Sequence, residues 1–345
     1  MNQTYDALLF VSFGGPEGMD EVMPFLANVL RGRNVPESRM REVAHHYELF
    51  DGVSPINEQN RRLIAALERE LEETGPRLPV YWGNRNWHPL LADTIRQMRD
   101  DGIKSALAFV TSAYSSYSGC RQYREDIERA RERVGEGAPR VEKLRAFFNH
   151  PGFVGPNAEN LRAALERIPE ERRASAQVAF TAHSIPASMA VGCVYERQLL
   201  ETCRLVSEGA GQASWRLVFQ SRSGSPTQEW LGPDICDHLR ELKESGARDV
   251  VVAPVGFISD HMEVLYDLDT EARTLAEEIG INMIRAATVG AHPSFVRMIR
   301  ELILERLNQD TPRRSLGTFP PTQDVCPADC CLPGTMRPAT RPSNV

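Results

Sequence analysis

The sequence predicts an α/β protein of two similar domains, each with a parallel sheet, whose strand ends face a shared cleft. Three observations carry this. The chain has 345 residues, which suits two domains of ordinary size. Short β-branched and apolar runs alternate with longer amphipathic stretches, the pattern of βαβ units. The two halves also echo each other in order. ALLFVSFGGP (7–16) resembles QVAFTAHSIP (177–186) at an offset of 170, and GIKSALAFVTSAYSS (102–116) resembles GARDVVVAPVGFISD (246–260) at 144. VYWGNR (80–85) resembles LVFQSR (217–222) at 137. Any two parallel-sheet domains share some of this, because buried strands look alike.

The elements follow from periodicity. Strands are expected at 6–12, 78–82, 105–111, 176–182, 215–220, 248–255 and 281–286, each a short apolar run. Helices are expected at 57–74, 89–101, 121–134, 157–168, 194–209, 233–245, 264–279 and 293–308. Residues 311–345 are rich in Pro, Thr, Arg and Gly, show no period and read as a tail, although they hold three of the seven cysteines.

Composition excludes several classes. The formal net charge is -7 with acids and bases interspersed, whereas a nucleic-acid binder should carry a basic face. RRLIAALEREL (61–71) reads as a solvated helix face with i,i+4 pairs. The start MNQTYDALLFVSF lacks a basic n-region. No apolar run approaches the roughly 20 residues of a membrane span. A cytoplasmic protein is expected, with cysteines as thiols or metal ligands. The GG at 14–15 is not a dinucleotide fingerprint, and no phosphate-binding G-x-x-x-x-G-K-[ST] loop exists.

Several residues stand where chemistry gathers. His183, in FTAHSIP, ends an apolar strand, and ligands in α/β proteins collect beyond such ends. Its imidazole can take a proton or bind a metal near neutral pH; a structural His bonded to a loop carbonyl would look the same. Glu263 follows a strand in VAPVGFISDHMEVLYDLDTEA, where Ser259 and Asp260 suit helix N-caps. Glu263, Asp267 and Glu271 recur at i, i+4 and i+8, placing three carboxylates on one helix face. That arrangement is costly unless something positive sits there. A divalent metal path would supply it, and so would a proton relay; an exposed acidic face needs neither, and Asp269 shows acids are common here.

Ser54, in the loop HYELFDGVSPIN, could be a ligand group or an N-cap. Tyr123 belongs to the hydroxyl-rich TSAYSSYSGCRQYRED (111–126), which could line a polar-aromatic pocket or cap a helix. Arg31 and Arg33 could hold carboxylates or serve solubility. Cys326, Cys330 and Cys331 sit in the polar tail. Soft thiolates there select zinc or an iron–sulfur cluster, with Cys120 the natural fourth ligand; an incidental or redox-sensing tail is the alternative.

SFGGPEG, DGVSPINEQN, GNRNW, TSAYSSYSGCRQY, FTAHSIP, FQSRSG and VGFISDHMEVLYDLD resemble ferrochelatase segments in family order, over about residues 5 to 310. FTAHSIP and GFISDHMEVL are the specific ones. The resemblance implies the chelatase fold: two Rossmann-like domains, 1–150 and 151–287, with a final helix (288–310) packing back on the first. It implies insertion of Fe²⁺ into a porphyrin. GNRNW and SRSG are similar to the actinobacterial branch, so coproporphyrin III is the implied substrate and protoporphyrin IX the alternative. A cobalt chelatase, a non-catalytic tetrapyrrole carrier and a periplasmic-type metal binder are rival readings.

Carried over by position, His183 and Glu263 match the iron and proton-handling pair. Asp267 and Glu271 match its acidic row. Phe13, Ser54, Tyr123, Arg31, His46 and Tyr47 match porphyrin-side positions, and Cys120, Cys326, Cys330 and Cys331 match a [2Fe–2S] ligand set. Partners implied are the porphyrin, Fe²⁺ and other enzymes of haem synthesis. Two departures matter. Phe13 stands where some relatives carry a metal-facing Tyr, and Asp51 where Gly is commoner. Neutral His183 is expected to accept a pyrrole proton and Glu263 to pass it outward along Asp267 and Glu271. The offset of 170 makes His183 the counterpart of Phe13.

Overall fold

The computed structural model describes residues 4–32, 35–223 and 227–334. Arg33 and the end of the tail lie outside them. In chain order the elements begin with β1 (Ala7–Ser12), α1 (Met19–Val29), α2 (Glu37–Glu48), α3 (Ile56–Thr74), β2 (Val80–Asn84), α4 (Leu91–Asp100) and β3 (Ser105–Val110). Then come α5 (Gln122–Val134), β4 (Arg140–Lys143), α6 (Pro151–Glu166), α7 (Glu170–Arg173), β5 (Gln177–His183), α8 (Ala187–Ala190), α9 (Tyr195–Ala210) and β6 (Trp215–Gln220). The chain closes with α10 (Ile235–Glu244), β7 (Asp249–Ala253), α11 (Met262–Tyr266), α12 (Arg273–Ile279), β8 (Asn282–Arg285) and α13 (Pro293–Leu307). Wider π-helical turns at Tyr117–Arg121 and Asp267–Ala272 lead into α5 and join α11 to α12.

The strands form two parallel sheets with one topology, β2-β1-β3-β4 and β6-β5-β7-β8. The echoes noted in the sequence fall on equivalent strands: β1 with β5, β2 with β6, β3 with β7. Even the stray bridges repeat, Asn84 with Leu90 and Phe219 with Asp234. Side chains alternate across each strand. Leu8 and Phe10 face one core while Ala7, Leu9 and Val11 face another. In the second sheet Val178 and Phe180 join the same core as Leu8 and Phe10, while Ala179 faces outward to a third. The two halves therefore share one continuous apolar core, and each keeps a private outer one. Strands covered on both faces read as continuous apolar runs.

Five elements escaped the sequence reading, among them the single-turn helices α7 and α8. β4, RVEK, is a polar edge strand without an apolar run. Helices α1 and α2 were not expected because their apolar residues pack on a small local cluster of their own. It comprises Val22, Phe25, Leu26, Tyr47, Trp87 and Met262. Helix α6 starts at Pro151, capped by the His150 ring, which accepts from Gly152 N–H at 3.1 Å. Helix α13 starts the same way, with His292 accepting from Ser294 N–H at 3.2 Å. Helix α13 packs on α3 and α6. Its Glu305 is held by Arg145 in a buried fork at 2.6 and 2.8 Å.

The tail is more ordered than its composition suggests. Asn149 donates to the carbonyls of Leu316 and Phe319, Glu201 accepts from Thr318 N–H, and Arg121 donates to the carbonyls of Ala328 and Cys330.

Candidate functional site

His183 is the last residue of β5, beside Gln220, the last of β6. Its backbone carbonyl accepts from the Tyr195 hydroxyl at 3.0 Å. Its Nδ1–H donates to the Ser184 carbonyl. A carbonyl only accepts, so Nδ1 carries the proton and Nε2 is left for the cleft. The loop carbonyl bond that a structural His would make is thus present, and it orients a ring whose other nitrogen faces Glu263 at 3.4 Å.

Glu263 reaches the same point from the opposite direction. Beyond β7 the chain turns tightly at Gly256, whose N–H donates to the Thr181 carbonyl at 3.0 Å. A Cβ there would lie 2.6 Å from Ala182 Cα. This close approach brings the 257–261 loop over the end of β5. One Glu263 oxygen faces His183, and the other faces His261 Nε2 at 3.3 Å. His261, absent from the sequence-derived site, has its buried Nδ1 unpaired and its ring against Phe257.

Ser259 and Asp260 do not cap α11. The N-cap is His261, without a side-chain cap bond. The Asp260 carboxylate turns instead to Arg285 at 3.2 Å. The acidic row survives, but not on a regular helix. Four residues overshoot a turn in an α-helix and undershoot the wider π-helical one. The drift from Glu263 to Asp267 is therefore partly undone from Asp267 to Glu271. The row runs from the half-buried Glu263 and Asp267 to the exposed Glu271. Among the described residues neither Asp267 nor Glu271 pairs with Lys or Arg. Asp267 accepts from the Ser221 hydroxyl and from Gln220 at 3.4 Å; Gln220 also donates to the Glu263 carbonyl at 3.0 Å. Gln220 and Ser221 were missed as site residues. FQSRSG resembles a family segment, and its SRSG the actinobacterial branch, without marking either residue as part of the site.

The electrostatics separate these groups. Burial alone would lower the pKa of His183, but the Glu263 carboxylate outweighs it, with help from the Ser184 carbonyl and Asp267, and pushes it up to about 9. Burial would raise Glu263; the charge and hydrogen bond of His183, then His261, hold it well below the usual carboxylate range. Both side chains are partly exposed, with 33 % and 46 % of their surfaces open to solvent, while protein encloses them on the other sides. Asp267 is pushed up to about 7, first by burial and then by Glu263 and Glu271, against the Ser221 hydrogen bond. Burial and Asp234 raise Glu271. Each group thus favours the charged form of the other, which works against the neutral His183 expected from the sequence. Asp267 is the group poised to exchange a proton near neutral pH.

An aromatic cluster adjoins this pair through Met262. Phe13, at the end of β1, packs edge-on to Phe25 at 6.2 Å, and Phe25 packs on Tyr47 and Trp87. Met262, next to Glu263, joins the same cluster. Burial and then the Glu263 charge keep the Tyr47 phenol protonated. His46 stacks on Tyr266 at 3.6 Å and 5°, linking α2 to α11. Arg85 lies over Tyr123 at 4.3 Å and Phe13 at 5.8 Å and pairs with Asp126; GNRNW contained it, but nothing local to the motif marked it.

Ser54 is buried against Gly15, and its N–H donates to the Pro16 carbonyl at 2.9 Å; it makes no cap bond on α3. Asp51 has φ +52°, which explains why glycine would suit that position. Arg31 is exposed at the end of α1, bonded to Asn28. The hydroxyl-rich segment joins the two halves more than it lines a pocket. The Tyr114 hydroxyl donates to the Val255 carbonyl at 2.8 Å, Ser115 bonds Gln198, and Ser116 caps the π-turn at Gly119.

Cys120, Cys326, Cys330 and Cys331 line one cavity of about 180 Å³, with Arg121, Arg124, Lys143 and Arg306 around it. Cys330 and Cys331 sulfurs lie 3.3 Å apart. The thiol of Cys326 donates to Cys120 and brings its pKa down to about 5 against burial, with Lys143 helping. Among the described residues no group of three or more His, Cys, Asp or Glu side chains is gathered tightly enough to hold a metal ion.

The ferrochelatase family model matches residues 5–307. The chain is 57% identical over 335 residues to the ferrochelatase of Rhodopirellula baltica, covering 97% of this chain and 95% of that one. It is 52% identical over 357 residues to the coproporphyrin III ferrochelatase of Streptomyces griseus, with coverage of 97% and 95%. Among solved structures, SirB from Bacillus subtilis with Fe³⁺ superposes with a TM-score of 0.52 at 14% identity, covering 87% of this chain and 96% of that one. That likeness supports the two-sheet chelatase fold.

Proposed function

This chain belongs to the ferrochelatase family, and from that premise we propose that it inserts Fe²⁺ into coproporphyrin III, giving Fe-coproporphyrin III on the route to haem b. The substrate reading rests on relatives at about 50% identity that bear that name. The observation that supports the chemistry is the meeting of His183 and Glu263 at 3.4 Å, beside the aromatic cluster of Phe13, Phe25 and Tyr47.

Metallation removes two pyrrole protons and delivers a divalent cation to the ring centre. In this reading Phe13 and the pair would take opposite faces of a flat ligand, with Phe13, Tyr47, Ser54, Tyr123 and Arg31 on the porphyrin side. A cleft of this kind favours a ring bent towards the reacting geometry. Incoming Fe²⁺, as substrate, competes with the proton on His183, because both need Nε2 and both are favoured by Glu263. Displaced and pyrrole protons have Asp267 as their first acceptor, and Glu271 carries them to solvent. General-base help of this kind is worth roughly 10²–10⁴-fold. Residues 1–150 with the helix at 288–310 would act as one wall of the cleft and 151–287 as the other. Among the described residues no helix is long and apolar enough to cross a membrane. We place the enzyme in the cytoplasm, passing its product to a later enzyme of haem synthesis.

A [2Fe–2S] cluster is the finer proposal for the four thiols. An anionic, thiolate-bound cluster suits soft donors within a rim of Arg and Lys, and that is the composition of the Cys120 cavity. Bound there, it would supply an oxidation-sensitive tie between the tail and the start of α5. Anaerobic addition of iron and sulfide should give visible charge-transfer bands and two irons per chain, both lost in Cys326→Ser. A colourless product would remove the cluster.

The activity test is anaerobic incubation with Fe²⁺ and either coproporphyrin III or protoporphyrin IX, read by the Soret and Q bands. Turnover of coproporphyrin III alone is expected. Preference for protoporphyrin IX would overturn the substrate, and tight binding without metallation would make the protein a carrier.

A further inference from the structure

Arg285 ends β8 and reaches both sides of the acidic row. Its Nη1 and Nη2 each donate to Asp260 at 3.2 Å, and its Nε donates to Asp269 at 2.8 Å. Asp260 lies three residues before Glu263, and Asp269 two residues after Asp267. The side chain is 16 % exposed. Asp260 is held from two further directions. Thr288 donates to its carboxylate at 3.1 Å, and Gln59, on α3 of the opposite half, accepts from its N–H at 2.9 Å. Asp269 accepts a second bond from Arg273 at 3.2 Å.

These contacts fall on the segment that most needs them. Residues 257–261 form a loop, and Asp267–Ala272 is a π-helical turn, less regular than the α-helices on either side. Glu263, Asp267 and Glu271 repel one another along it. We propose that Arg285 is a positioning residue for the metallation site, clamping the chain before Glu263 and after Asp267 so that Glu263 stays opposite His183 and Asp267 stays under Ser221. This deepens the ferrochelatase reading and rests on it. Neither Asp260 nor Asp269 faces the cleft pair. Their carboxylates serve the clamp, which is why Asp269 lies off the row.

Only a planar fork with three separate N–H directions can bond both carboxylates at once. A lysine keeps the charge and loses the span. Behind the guanidinium lies an open cavity of about 410 Å³, lined by Arg285, Asp260, Asp269, Arg273, Arg167 and Asn160. A free guanidinium ion can enter it.

The experiment compares Arg285→Ala and Arg285→Lys in the full chain. Partners that orient a metal-handling group typically contribute 10–100-fold. Both variants should lose about that factor in kcat for metallation while porphyrin Kd, from Soret titration, stays within about twofold. Guanidinium at low millimolar concentration should restore part of the kcat of Arg285→Ala and nothing in Arg285→Lys. Normal kcat in both variants overturns the proposal. So does a loss of porphyrin affinity and melting temperature in step with kcat, unmoved by guanidinium, because that is a merely structural residue. Glu263→Gln separates the two readings. If Glu263→Gln is inactive and Arg285→Ala is normal, the clamp alone fails; if Glu263→Gln turns over like the wild type, the site assignment beneath it fails.

Discussion

At the scale of single residues, packing at the candidate site sets neighbouring groups apart in proton affinity. His183 and Glu263 stabilise each other's charged forms, and Asp267, desolvated and next to two carboxylates, is left near neutrality. Ser221 tunes it: its hydroxyl donates to Asp267 and lowers a pKa that burial raises. Ser221→Ala removes the lowering contribution, so the Asp267 pKa should climb above about 7. If the ionised Asp267 takes the proton, the acidic limb of the pH–kcat profile should move to higher pH. An unmoved limb would take Asp267 out of proton transfer. His183 and Glu263 stood out as candidates because a His at a strand end and an acid after a strand are local features, but those features left structural readings open and the family resemblance supplied their roles. Their mutual protonation state was not legible, since it depends on a 3.4 Å approach between residues 80 positions apart.

At the scale of elements, the turn after β7 decides where the acidic helix lies. Gly256 has Ala182 Cα where its own Cβ would be. Gly256→Ala should overpack that contact, costing about 1–3 kcal/mol, and should push the 257–261 loop off His183. A misplacement near 1 Å can cost on the order of 10²-fold in rate. The expected result is a folded protein, by circular dichroism, with metallation reduced at least tenfold. Wild-type rates would show that the loop tolerates the shift. Periodicity revealed the long helices but not the π-helical turn within 264–279, because apolar spacing changes little when one turn widens. Helices α1 and α2 were hidden for a related reason: their apolar residues answer to Trp87 and Met262, far away in sequence.

At the scale of the molecule, two sheets of one topology share a core, and α13 closes it. Arg145 and Glu305 form a buried pair, each side chain 1 % exposed. Glu305→Gln would leave the guanidinium without its counter-charge, a loss of about 3–5 kcal/mol for a buried pair. Urea unfolding should show it, and Arg145→Met with Glu305→Leu should recover most of it. A loss under 1 kcal/mol in Glu305→Gln would mean that Arg313, 3.7 Å from Glu305, and solvent already share the charge. Sequence alone determined the α/β class and the duplicated order of strands, because strand composition and alternation are local properties. Only the tertiary structure decided that the halves share one core, that Asp260 serves Arg285 and not a helix cap, that His183 and Glu263 meet, and that four distant thiols line one cavity. Each of these is set by which surfaces meet, and meeting is a property of the packed chain.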